Sequence, residues 1–88
     1  MKMIITIIKD NDTDTVIRAL TSENFRVTTI ASTGGFLRSG VTTLLCGVED
    51  DQVQKALNTI HKIFPPQDST DEKRCTLFVI NVADSQRF

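Results

Sequence analysis

Tryptophan and tyrosine are absent from this 88-residue chain, histidine occurs once, and proline occurs only as the pair Pro65-Pro66. Long apolar runs are missing too. The opening run, Met3 to Ile8, stops at Lys9-Asp10, far short of the roughly 20 residues that a membrane-spanning helix needs, so no membrane insertion is expected. Neither sign of charge is in excess: 10 Lys and Arg against 11 Asp and Glu leave a net charge of −1. Such a balance gives no field to gather DNA or RNA. Enzyme chemistry also lacks its parts, because no nucleophile with an activating base, no acid/base pair and no metal-binding cluster is visible. The two cysteines, Cys46 and Cys75, sit inside apolar segments, where a thiol is usually inert packing. Without a secretory signal ahead of them, reduced thiols and a cytoplasmic location are expected.

What is present is the material for one small domain spanning residues 1–88. A chain of this size buries only about 60–65% of its unfolded surface, so association with further copies is one common remedy. The pattern along the chain is regular. Met3–Ile8, Phe25–Ala31, Val41–Val48 and Cys75–Val82 read as strands, rich in β-branched and apolar residues. Val16, Ile17 and Leu20 mark one side of a helix running to about Glu23. A second helix carries a clearer stripe at Val53, Ala56, Leu57, Ile60, Ile63 and Phe64, ended by Pro65-Pro66. Asn11 or Asp12 is expected to cap the first helix and Glu49-Asp50-Asp51 the second. The order strand, helix, strand, strand, helix, strand is that of an α+β, ferredoxin-like βαββαβ domain, an antiparallel sheet with both helices on one face.

The first and last strands are apolar on both faces. Met3, Ile5 and Ile7 alternate with Ile4 and Ile8, and Cys75, Leu77 and Val79 with Phe78, Ile80 and Val82. Two helices cover only one face. The other is left as an apolar surface that soluble monomers avoid, so sheets from several subunits are expected to pack together.

Several segments invite a chemical reading. Asp10-x-Asp12-x-Asp14 opens like a calcium loop, but Thr15 and Thr21 stand where that loop needs glycine and glutamate. A cap with acidic first-turn residues is the simpler reading. His61 lies at the edge of the second helix's stripe with no identifiable partners, so it is read as structural. Ser32–Gly40, "STGGFLRSG", matches neither G-x-x-x-x-G-K-[S/T] nor G-x-G-x-x-G. It is either a long hairpin or a ligand loop. Leaving Phe36 and Leu37 exposed there would forgo roughly 1.5–3 kcal/mol each, so something should cover them. Before it, Asn24, Arg26 and Thr28 occupy alternate positions and would line one strand face with an amide, a guanidinium and a hydroxyl. A half-exposed strand carries such polar alternation by default. An amide also reads a base edge, and a guanidinium grips phosphate.

The run "NFRVTTIASTGGFLRSGVTTLLCGVEDDQV" resembles the cyclic di-AMP receptor family of PII-like signalling proteins, whose pattern is close to N-F-R-x-T-x-[L/I]-x-[S/T]-T-G-G-F-L-[R/K]-x-G-N-T-T-x-[L/F]-x-G-V. The resemblance implies a PII-like homotrimer with no cofactor, binding cyclic di-AMP or a related nucleotide between subunits and relaying its level to a downstream protein. Carried over by position, the ligand-binding residues would be Asn24, Arg26, Thr28, Gly35, Phe36, Leu37 and Gly47. The glycines would let the backbone approach the ligand while Phe36 and Leu37 cover an adenine. Three features depart from the pattern: Val41 replaces the asparagine of G-N-T-T, the Pro65–Arg74 link is short, and the chain ends Gln86-Arg87-Phe88 rather than H-Q-F. A diverged paralogue that binds another adenine nucleotide, or a protein-interaction trimer without ligand, is the alternative. An RNA-recognition domain shares the element order but places aromatics on its central strands, which "MIITII" and "VTTLLCGV" lack.

Overall fold

The computed structural model describes residues 1–33, 40–64, 75–84 and 86. Strand β1 (Lys2–Lys9) leads through a 3-10 turn, Asp10–Asp12, into helix α1 (Thr13–Ser22). Strand β2 (Thr28–Thr33) and strand β3 (Val41–Val48) follow. A second 3-10 turn, Asp50–Gln52, opens helix α2 (Val53–Ile63), and strand β4 is Cys75–Asn81. The sheet order is β2-β3-β1-β4 with every neighbour antiparallel. This is the expected α+β, ferredoxin-like arrangement.

Period-two patterning decides which face of the sheet is covered. Ile4, Thr6 and Ile8 on β1, and Thr42, Leu44, Cys46 and Val48 on β3, are buried. Val16 and Leu20 of α1 and Ala56 and Ile60 of α2 close over them. Each side chain taken fully out of water contributes about 1.5–3 kcal/mol. The two β-α halves are built alike. Positions forty residues apart (Ile4 and Leu44, Ile8 and Val48, Val16 and Ala56, Leu20 and Ile60) are all buried in one core.

Neither helix covers the opposite face. Ladder partners place Met3, Ile5 and Ile7 beside Ile80, Phe78 and Thr76 on one side and Gly47, Leu45 and Thr43 on the other. Phe78 is 52% and Ile80 48% exposed. None of these residues joins the core cluster. The two-faced apolar strands of the sequence therefore leave an apolar sheet face that neither helix covers.

Three local expectations need correction. The helices are not capped by side chains: Asp12 and Gln52 hold the N-cap positions, with φ/ψ of −95°/−6° and −104°/−4° and no side-chain cap hydrogen bond. An effective N-cap needs extended backbone, and the 3-10 turns remove it. The Asp10 carboxylate instead accepts from the Thr42 hydroxyl across to β3. Strand β2 starts at Thr28 rather than Phe25, and a register shift between Thr29 and Ala31 makes a bulge in it, leaving Ile30 55% exposed. Finally, His61 is exposed in the last turn of α2, away from the buried stripe.

Candidate nucleotide site

The expected site residues separate into three groups. Gly35, Phe36 and Leu37 lie outside the described residues. Asn24 is not on a strand. Thr28 opens β2 opposite Leu45, Arg26 lies two residues before it, off the ladder, and Gly47 lies two residues beyond Leu45 on β3.

Asn24 ends helix α1. Its φ is 69°, the one positive value among described residues other than glycine. The Asn24 N–H donates to the Thr21 carbonyl at 2.9 Å and the Phe25 N–H to the Leu20 carbonyl at 3.0 Å. With Glu23 as C-cap, these are the paired bonds of a Schellman motif, which calls for a left-handed residue at Asn24's position. The asparagine therefore has a backbone role, and the single polar row of Asn24, Arg26 and Thr28 does not form as expected.

Beyond that turn the chain is extended. Phe25 and Val27 are half-buried and pack against the core, while Arg26 and Thr28 face out. Alternation thus survives from Phe25 onward without ladder hydrogen bonds. Thr28 is paired with Leu45, which lies on the sheet face that neither helix covers. Carried two residues past its last pair, the same register sets Arg26 opposite Gly47. Gly47 itself is paired with Met3 of β1.

Gly47 lies under the flexible end of the Met1 side chain. A Cβ built on it meets, within 4 Å among the described residues, only the Met1 methyl at 3.0 Å. That methyl is the end of a flexible side chain, so nothing rigid among the described residues demands glycine here. At the opposite position of the other half stands Ile7, a large β-branched residue. This part of the sheet therefore offers an exposed guanidinium, a hydroxyl and a strand glycine beneath only a flexible side chain among the described residues, at the edge of an apolar face. Such a set suits a planar apolar ring with an attached anion.

The junction is held from outside as well. Lys55 of α2 reaches the Glu23 carboxylate at 3.4 Å and lies 6.0 Å from the centre of the Phe25 ring. At the far end of β3, Gly40 is buried and its carbonyl accepts from the Asp10 N–H at 2.9 Å, which fixes the chain where the glycine loop rejoins the sheet. Val41, in the position of the family's asparagine, is 40% exposed. The links from Glu23 and Lys55 were not legible in the sequence, since their signal is a contact between residues far apart in the chain.

Other groups do not add to this set. A shallow hollow lined by Asp14, Ile17, Arg18, Thr21 and Ser22 runs along α1 and involves none of these residues. Burial pushes the Cys46 thiol up. Burial, aided by Asp12, pushes that of Cys75 up to about 11, so both stay protonated at neutral pH. Among the described residues no group of three His, Cys, Asp or Glu side chains is placed to hold a metal ion, and no helix is long and apolar enough to cross a membrane.

Comparison with known proteins bears on the family and the fold. A family model described as cyclic-di-AMP receptor matches residues 1–81. Among solved structures, a functionally unknown protein from Pediococcus pentosaceus superimposes with a TM-score of 0.77 at 29% identity, over 99% of this chain and 96% of that one. The two chains are thus nearly equal in length, so the compact 88-residue form is not peculiar to this chain.

Proposed function

The chain belongs to the cyclic-di-AMP receptor family, and we propose that it is a non-enzymatic, cytoplasmic PII-like sensor that binds cyclic di-AMP between the subunits of a homotrimer and relays its level to a partner protein. The observation that carries this reading is an exposed Arg26 and Thr28 at the β2 end of the β2-β3 ladder, beside an apolar sheet face that neither helix covers. Arg26 would grip a phosphate, where a guanidinium is best suited. Thr28 would donate its hydroxyl. Gly47 would let the ligand approach the backbone, and Gly35, Phe36 and Leu37 would close over an adenine. Base–aromatic stacking is worth about 1–3 kcal/mol in comparable recognition.

The face that neither helix covers supports assembly. Phe78 and Ile80, both about half exposed, would be covered by the sheets of two further copies, and a cleft would form where their edges meet. A ligand held in that cleft would then alter what docks on the trimer. Exposed Val41 favours one variation, in which a ligand group bonded by asparagine in the family is met differently here. Such a loss costs about 0.5–1.5 kcal/mol.

The test combines titration and mass. Calorimetry with cyclic di-AMP should give saturable binding to the native protein and about 10–100-fold weaker binding to Arg26→Ala, as expected for one charge-assisted contact. Light scattering should give a trimer for both. Unchanged affinity in Arg26→Ala would remove that residue from the site, and a monomer at micromolar concentration would overturn the assembly.

A further inference from the structure

We propose that Asn24 serves the nucleotide site as a positioning residue, acting through its left-handed backbone rather than through its amide, and that it fixes where Arg26 enters the site. The proposal rests on the reading of the Arg26 site given above. It changes what Asn24 is for.

The geometry runs in sequence. At φ 69°, Asn24 turns the chain off helix α1 while its N–H and that of Phe25 close back on Thr21 and Leu20. That turn delivers the Phe25 ring onto the core and under Lys55. Lys55 in turn reaches Glu23, the residue just before the turn. Arg26 is the next residue out. Its Cα is therefore held between a fixed helix end and Val27, which also packs on the core. Asparagine is among the few residues besides glycine that adopt this conformation readily. Glycine would preserve the turn without any amide. A β-branched residue would keep a side chain but resist the turn, because a left-handed backbone costs such residues most.

When the turn relaxes, Arg26 is displaced in a fraction of the molecules. Ligand binding must then restore the turn, so apparent affinity falls by the fraction that remains competent. Arg26 itself is untouched, and the core need not unfold.

The experiment compares native protein, Asn24→Gly and Asn24→Val by calorimetry with cyclic di-AMP, well below the melting temperature of each. Hydrogen exchange at the Phe25 amide is read in the ligand-free state. We expect Asn24→Gly to bind within about threefold of native, and Asn24→Val at least about tenfold more weakly, because the left-handed region disfavours a β-branched residue. Phe25 should lose protection only in Asn24→Val. If Asn24→Gly loses binding while Phe25 stays protected, the amide itself contacts the ligand and the proposal is overturned. If Asn24→Val binds as tightly as native, the turn does not position Arg26 and the proposal also falls. If the native protein shows no binding, the nucleotide reading beneath it fails instead.

Discussion

The two halves of this subunit are built on one plan and differ where the candidate site lies. Each half runs from an eight-residue strand through a 3-10 turn into a helix, and equivalent positions forty residues apart fill one core. They diverge at two places. Strand β1 carries Ile7 where β3 has Gly47. Helix α1 ends in a left-handed turn that leads within a few residues into β2, whereas Phe64, at the end of α2, has φ −121° and ψ 74° and the chain continues far longer before β4. What the halves share is the scaffold. What only the first junction and the third strand possess, the turn at Asn24 and the strand glycine Gly47, lies within two residues of Arg26 or of Leu45, the ladder partner of Thr28. The difference teaches that this fold localises its candidate chemistry by breaking its own repeat.

The equivalence of the halves is tested most strongly in the core. Leu20→Ala and Ile60→Ala remove matched, fully buried side chains, and each should cost about 2–5 kcal/mol in denaturant unfolding. A near-neutral result for one of them would break the symmetry. The break at Gly47 is next. Gly47→Ala should leave stability within about 1 kcal/mol, since only the Met1 methyl must move and alanine is the better strand residue. The same change should weaken cyclic di-AMP binding at least about tenfold, or 1.4 kcal/mol. Native affinity in that variant would show that the backbone at Gly47 is not used by ligand.

A smaller effect is expected at the start of the helices. The Thr13 hydroxyl is buried with no hydrogen-bond partner among the described residues, and its counterpart in the second half is Val53. Thr13→Val should therefore stabilise the protein by about 1 kcal/mol, read as a raised urea midpoint at unchanged slope. Destabilisation would mean that the hydroxyl is satisfied in solution. The smallest effect is alkaline. Cys75 has a folded pKa of about 11, above its ordinary value of 9.0. The unfolded chain therefore loses this proton first, and the thiol's contribution, complete below about pH 9, is lost as pH rises toward 11. Cys75→Val should flatten that alkaline limb. An unchanged limb would assign it to other groups.

Much of the fold was legible because its signals are local. Strand β3 was read at Val41–Val48 and helix α2 was read from Val53, since β-branched runs and a 3.6-residue stripe record burial directly. The start of β2 was not. Phe25–Val27 alternate like a strand, but pairing depends on the partner β3, and no residue type announces where a ladder ends. The bulge at Thr29–Ala31 is equally silent. The missing helix caps show an acid-rich turn consuming the backbone geometry that a cap would need. Of the candidate site, Arg26 and Thr28 were readable from alternation. Asn24 was misread because a left-handed turn and a polar strand position use the same residue. The resemblance of the glycine loop, rather than any periodicity, carried Gly35, Phe36 and Leu37.

The most direct test of the account is isothermal titration of the native protein with cyclic di-AMP, with ATP and cyclic di-GMP as comparators. The account predicts selective, saturable binding of cyclic di-AMP near one nucleotide per subunit. Absence of heat with cyclic di-AMP well into the micromolar range, or equal binding of all three nucleotides, would contradict it.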